Sequence, residues 1–161
     1  VLLLRDHISL MLTATNNSKI DISSKESIKA LAENLTSYLI KGSTVCLHGE
    51  IGVGKTTLVK NFINIKQKKN NLPLTEVTSP TFNLLNEYEI SDLVIRHYDL
   101  YRLKFKSEIN NLDLYNIGND TITFIEWPEL VEKKKLFKNL DLIFSYENDL
   151  NNRSVKILGL T

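Results

Sequence analysis

An α/β fold in a single domain is predicted by three observations. Helical and strand-like periodicities alternate along 161 residues, the pattern of an α/β protein. A glycine-rich turn joins an early strand to the helix that follows it. Two alternating apolar segments flank a short turn in mid-chain, as an antiparallel hairpin requires. The length suits one domain with one real core.

The elements follow in order. The opening "VLLLRDHISLMLTA" is apolar, but Arg5, Asp6 and His7 interrupt it and no basic stretch precedes it. That argues against a secretory signal or a membrane-spanning helix. Residues 1–20 are read as a poorly packed N-terminal extension and 21–161 as the domain. "SSKESIKALAENLTSYLIKG" predicts a helix, with Ile28, Leu31, Ala32, Leu35, Tyr38 and Leu39 on one face. Ser23 and Glu26 are spaced as a capping box, and Gly42 supplies the stop. "TVCLH" reads as a buried strand, the glycine-rich turn comes next, and "KTTLVKNFINI" reads as a second helix. Residues 66–73, "KQKKNNLP", are polar and predict a surface loop.

"TEVTSPTFNLLNEYEI" and "VIRHYDLYRL", flanking "SDL", predict a hairpin centred on 82–98. "SEINNLDLYNIG" predicts a short helix ending near Gly118, and "TITFIEW" a strand. "PELVEKKKLF" predicts another helix, with Pro128 first, acids early and lysines late, as the helix dipole prefers. "NLDLIFSYE" and "RSVKILGL" predict two closing strands.

Composition narrows the class without choosing a function. Hydrophobic content of 42% and charged content of 24% are those of an ordinary globular protein. A net charge of +1 gives no electrostatic case for coating nucleic acid or a membrane surface. "KQKK" and "EKKK" are too scattered to form a basic stripe. Cys46 is alone, so no internal disulfide can form, and a reducing, cytoplasmic setting is expected. His7, His48 and Cys46 lack zinc-ligand spacing. His97 reads as a packed or hairpin-surface histidine, and Tyr98 and Tyr101 as packing the hairpin.

"GEIGVGKT", residues 49–56, matches G-x-x-x-x-G-K-[ST] in full. From average usage, the four fixed positions would match by chance in on the order of one protein in two hundred of this length. Here the match also lies between a predicted strand and a predicted helix, the context its chemistry needs. Gly49 and Gly54 permit turn conformations closed to residues with a side chain. Loop N–H groups at a helix start can then cradle phosphate oxygens. Lys55 brings a charge to the β- and γ-phosphates, and the Thr56 hydroxyl can ligate Mg²⁺.

A nucleotide with Mg²⁺ calls for a further carboxylate at the end of a neighbouring strand. "TITFIEW" ends on Glu126, a charge where burial is expensive. Glu126 is therefore the candidate partner of Thr56 at the metal; without the loop it would read as an ordinary strand-end acid. No N-K-x-D or T-K-x-D guanine-reading motif occurs, which argues against a Ras-like GTPase. Of Arg5, Arg96, Arg102 and Arg153, only Arg96 and Arg102 cluster, whereas small-molecule kinases usually bring several arginines over the phosphates. An ATPase, a small-molecule kinase and a non-hydrolysing, ATP-dependent docking module all stay open at this point.

Taken together and in order, "GEIGVGKTT", "VTSPTFNLLNEYE", "HYDLYRL" and "FIEWPEL" resemble the TsaE (YjeE) family over about residues 22–160. That resemblance implies a P-loop NTPase-like three-layer sandwich with a mixed parallel and antiparallel central sheet. It implies an ATPase, weak alone, with ATP and Mg²⁺ as cofactors. It would act on a TsaB–TsaD complex that makes threonylcarbamoyladenosine in tRNA, with direct tRNA contact left open and no membrane involved. By matching positions, Gly49, Glu50, Ile51, Gly52, Val53, Gly54, Lys55, Thr56 and Thr57 would bind the nucleotide, Thr57 towards the α-phosphate. Ser79 and Thr81 would form a switch-like segment facing the γ-phosphate, with Thr81 in the catalytic set. Asp99 would orient metal or attacking water, Glu126 would be the Mg²⁺-associated carboxylate, and Trp127 its functional neighbour. The chain departs from the family's common G-D-L-G-A-G-K-T at Glu50, Ile51 and Val53, and keeps the glycines and Lys-Thr.

Overall fold

The computed structural model describes residues 19–159. The expected N-terminal extension lies outside the described residues as far as 1–18 are concerned. Lys19 and Ile20 belong to β1 (Lys19–Asp21), which pairs antiparallel with the last strand.

Helix α1 (Lys25–Tyr38) buries Ile28, Leu31, Ala32 and Leu35, the face that periodicity marks. Its capping box uses Ser24 and Ser27 in place of Ser23 and Glu26: Ser24 Oγ accepts from Ser27 N at 3.0 Å, and Ser24 N donates to Ser27 Oγ at 3.1 Å. Ser23 is already committed, since its N–H and hydroxyl both donate to Asp21 Oδ1, at 2.8 and 2.6 Å. The helix stops at Tyr38, before Gly42, because Leu39 is extended.

Strand β2 (Thr44–His48) leads through the glycine-rich turn into α2 (Lys55–Lys69). This helix runs further than predicted and takes the first four residues of the expected 66–73 loop. The lysines in its last turn suit a helix C-terminus. Gln67, buried there, bonds the Thr75 hydroxyl at 2.6 Å and accepts from Thr75 N at 3.0 Å, which docks the chain beyond. The predicted hairpin forms as β3 (Leu85–Ile90) and β4 (Leu93–Asp99), turning on Ser91 and Asp92. After α3 (Lys106–Ile109) comes β5 (Thr121–Glu126).

The helix expected from "PELVEKKKLF" is instead two 3₁₀ turns, Pro128–Leu130 and Lys133–Lys135. Trp127 enters at a left-handed φ of 57°, Val131 bonds back only three residues and buries itself, and Lys133 is drawn 2.9 Å from Asp141. These anchors pull the segment flat before a second α-turn can close. Strands β6 (Asn139–Tyr146) and β7 (Arg153–Leu158) complete the chain.

The sheet order is β1-β7-β6-β2-β5-β4-β3. The inner strands β6, β2, β5 and β4 run parallel, while β7, β1 and β3 are antiparallel to their neighbours. One face carries Val45, Leu47, Ile95, Ile122, Phe124, Leu142 and Phe144 beneath α1 and α2, with Phe62 edge-on to Phe124 at 4.9 Å. Cys46, Tyr98 and Ile125 on the opposite face are covered by Leu100, Ile109, Leu114 and Val131. The result is the mixed-sheet α/β sandwich expected, its third layer thin. Among the described residues, no helix is long and apolar enough to cross a membrane. Parallel pairing places the carboxyl ends of β2, β5 and β4 side by side, where open α/β sheets hold their ligands.

Candidate functional site

The site starts at the end of β2. Gly49 has φ 143°, and a Cβ there would lie 2.9 Å from both the Cβ and the carbonyl oxygen of Phe144. Only glycine lets the chain turn that close to β6. Val53 is buried and anchors the loop from beneath, while the Tyr146 hydroxyl donates to the Ile51 carbonyl at 3.1 Å. Gly54, at φ 121°, delivers the chain into the first turn of α2. Lys55, Thr56 and Thr57 therefore sit at a helix N-terminus, where free N–H groups and the helix dipole favour an anion.

Two carboxylates meet this helix. The register of β4 and β5 sets Asp99 directly beside Glu126, both at strand ends. They are 4% and 3% exposed, and each accepts hydrogen bonds. Glu126 Oε1 accepts from the Thr56 hydroxyl at 2.7 Å and is 2.8 Å from His97 Nε2. Asp99 Oδ2 accepts from the hydroxyls of Ser79 and, at 3.2 Å, Thr81. Its Oδ1 accepts from Tyr101 N at 3.0 Å. The segment bearing Ser79 and Thr81 is further closed by Leu84 N bonding Pro80 O at 2.7 Å, and by Asp99 N bonding Leu84 O at 3.0 Å.

Lys55 is folded into the same place. Its ammonium donates to the Gly49 carbonyl and lies 3.7 Å from the centre of the Trp127 ring. Burial holds the Lys55 amine below its usual pKa, against the opposing pull of Glu126, Asp99 and Glu129. Tyr101 also packs on Trp127, its ring centroid 4.9 Å from that of the indole.

These groups line one cleft of about 310 Å³, formed by Ile51, Gly52, Gly54, Lys55, Thr56, Thr57, Ser79, Thr81, Asp99, Tyr101, Glu126 and Trp127. Of the residues expected in the site, Gly49, Glu50 and Val53 stay off its wall: Gly49 accepts from Lys55, Val53 is core and Glu50 faces solvent. Arg96 and Arg102 stay off it as well. Arg96 pairs with Glu87 at 3.3 Å, and Arg102 donates to the carbonyls of Thr81 and Phe82 at 2.7 and 2.6 Å.

Among the described residues, no group of three or more His, Cys, Asp and Glu converges as a metal cage. A hydroxyl and a carboxylate oxygen 2.7 Å apart on the wall of this cleft nevertheless fit Mg²⁺. That ion takes few protein oxygens and completes its shell with water and phosphate.

Two site residues went unread in the sequence. Tyr101 is half-exposed in the cleft against Trp127 and does not pack the hairpin, whereas Tyr98 packs as expected and donates to Leu112 O at 2.9 Å. His97 is indeed packed, yet among the described residues its ring bonds only Glu126. A signal for it exists: two residues before Asp99 in a strand, His97 must share a face with it.

The family model for the threonylcarbamoyl adenosine biosynthesis protein TsaE matches residues 22–155. Curated relatives bear the name tRNA threonylcarbamoyladenosine biosynthesis protein TsaE. That of Rickettsia conorii is 39% identical over 69% of this chain and 61% of its own length. That of Bacillus subtilis is 32% identical over 77% and 75%, and that of Aquifex aeolicus 32% identical over 84% and 92%. The chain thus spans about three-fifths of the Rickettsia conorii relative and nearly all of the Aquifex one. The crystal structure of YdiB from Bacillus subtilis superposes with a TM-score of 0.63 at 25% identity, covering 89% of this chain and 86% of that one.

Proposed function

The chain belongs to the TsaE family, and on that premise we propose that it binds and hydrolyses ATP. In doing so it supports threonylcarbamoyladenosine modification of tRNA by acting on a TsaB–TsaD complex. The observation that carries this reading is the convergence of Lys55, Thr56, Asp99 and Glu126 on one cleft at a helix N-terminus.

In this reading the N–H groups of the 49–56 loop and the Lys55 ammonium hold the phosphates, and Thr57 meets the α-phosphate side. Thr56 and Glu126 would hold Mg²⁺, which when bound would neutralise charge on the phosphate oxygens. Asp99 holds the Ser79 and Thr81 hydroxyls in the segment that would face the γ-phosphate, and with Thr81 it would help orient metal or attacking water. Among the described residues lining the cleft, Lys55 is the one cation. Charge that builds up on the transferred phosphoryl group thus lacks the arginine that many such enzymes recruit. A low rate alone and a higher one on the TsaB–TsaD complex are the consequence, and a cytoplasmic setting follows.

ATP hydrolysis measured with and without TsaB and TsaD, alongside tRNA modification through many cycles, tests this reading. Stimulated hydrolysis and sustained modification are expected. Absence of both overturns the proposal, and phosphate delivered to an acceptor other than water would make the protein a kinase. Lys55→Ala should lose nucleotide affinity, and Glu126→Ala should keep binding while losing turnover.

A further inference from the structure

Glu126 has a partner that this reaction does not use. His97 lies within β4, fully buried, with Nε2 2.8 Å from Glu126 Oε1. Its Nδ1 is buried with no hydrogen-bond partner among the described residues. A carboxylate only accepts, so Nε2 carries the proton of this bond and donates to Glu126 Oε1. As a core residue this is a poor choice, because an apolar ring of similar size would bury no orphaned nitrogen. What the imidazole contributes is the bond to Glu126.

Thr56 donates to the same oxygen, Oε1, from a different element, since Thr56 stands on α2 and His97 on β4. Two donors from two rigid elements fix the carboxylate plane. No donor among the described residues bonds Oε2, and Glu126 lines the cleft. We propose that His97 is a positioning residue that clamps Glu126 beside Thr56 and so presents Oε2 to the divalent cation of a bound nucleotide. The inference rests on the nucleotide-binding reading above. Partners of this kind set the orientation and basicity of metal ligands, and their loss typically costs ten- to a hundredfold in metal affinity.

The test compares His97→Gln, whose amide can reach the Nε2 position, with His97→Asn, one methylene shorter, and His97→Phe, which keeps the ring without the donor. Mg²⁺ is titrated into each full-length protein with ATP present, followed by fluorescence of Trp127, the only tryptophan. His97→Asn and His97→Phe should need about tenfold more Mg²⁺. His97→Gln should stay near wild type, and nucleotide affinity without Mg²⁺ should be alike in all. His97→Phe should melt no lower than wild type, an outcome a merely structural histidine would not give. If His97→Asn and His97→Phe titrate as wild type does, or if folded His97→Gln fails alongside them, the inference is overturned.

Should the variants not fold, the imidazole ¹⁵N spectrum of the ligand-free wild type decides. A proton on Nε2 supports the clamp, and one on Nδ1 sinks it. Wild type that shows no Mg²⁺-dependent nucleotide binding removes the nucleotide reading and this inference together. Normal Mg²⁺ dependence in wild type and variants alike removes only the inference.

Discussion

The ammonium of Lys55 lies 3.7 Å from the centre of the Trp127 ring, the chain's single tryptophan. Trp127 thereby gains a physical role: its π-face holds the buried charge of Lys55 in the cleft, an interaction worth about 0.5–2 kcal/mol. On the nucleotide-binding proposal, phosphate arriving at Lys55 would loosen that contact. Trp127 emission should therefore shift on nucleotide binding, and Lys55→Met should abolish the shift. Trp127→Phe, which keeps an aromatic face, should change nucleotide affinity less than Trp127→Ala, which should weaken it by about three- to tenfold. Calorimetric titration of the three proteins checks this, and equal affinities would remove the role.

Asp99 accepts hydrogen bonds from Ser79, Thr81 and the Tyr101 backbone, so it ties the 79–84 segment to the end of β4. Hydrogen bonds to a charged group are worth about 1.5–3 kcal/mol each. Asp99→Ala should speed hydrogen–deuterium exchange in residues 79–84 by tenfold or more while leaving α1 protected. Ser79→Ala should give a smaller effect in the same residues. Unchanged exchange there would mean that other contacts hold the segment.

Gly49→Ala should destabilise the fold as well as the site. Its φ of 143° and the Phe144 backbone oxygen 2.9 Å from the added Cβ leave no inexpensive relaxation. A loss of more than about 1 kcal/mol is expected, read as a lower urea midpoint. An unchanged midpoint would mean that β6 gives way freely.

Asp141 makes stability depend on acid. Burial raises its pKa, but the bonds from His48 at 2.7 Å and Lys133 at 2.9 Å outweigh that and leave it below the ordinary 3.8. The unfolded chain therefore binds this proton more readily, and stability rises with pH through that range. The contribution is complete above 3.8 and is lost as pH falls through the lowered folded value. Asp141→Asn should cost about 1–3 kcal/mol at neutral pH and flatten the acid limb of the curve. Urea unfolding of both proteins from neutral pH to pH 2 checks this; parallel curves would rule it out.

Much of this was legible in the residues. Strong periodicity marked α1 and β5, and the spacing of Gly49, Gly54, Lys55 and Thr56 marked the turn into α2 as a candidate phosphate loop, because each position answers a local backbone or charge requirement. Where a boundary moved, a partner distant in sequence had moved it. Gln67 bonds across a turn to Thr75 and extends α2. Asp141 draws Lys133, and the left-handed Trp127 starts the turn that breaks the helix expected after it.

The sequence by itself determined the α/β class, the loop and the candidacy of Glu126, since these depend on neighbours a few residues away. Only the tertiary structure decided what Glu126 and Trp127 touch. Parallel pairing of β4 with β5 brought His97 and Asp99 to Glu126, and the left-handed turn set the indole against Lys55. Those contacts span 27 to 72 residues of chain. Such distances are closed by strand register and packing, which no local pattern encodes.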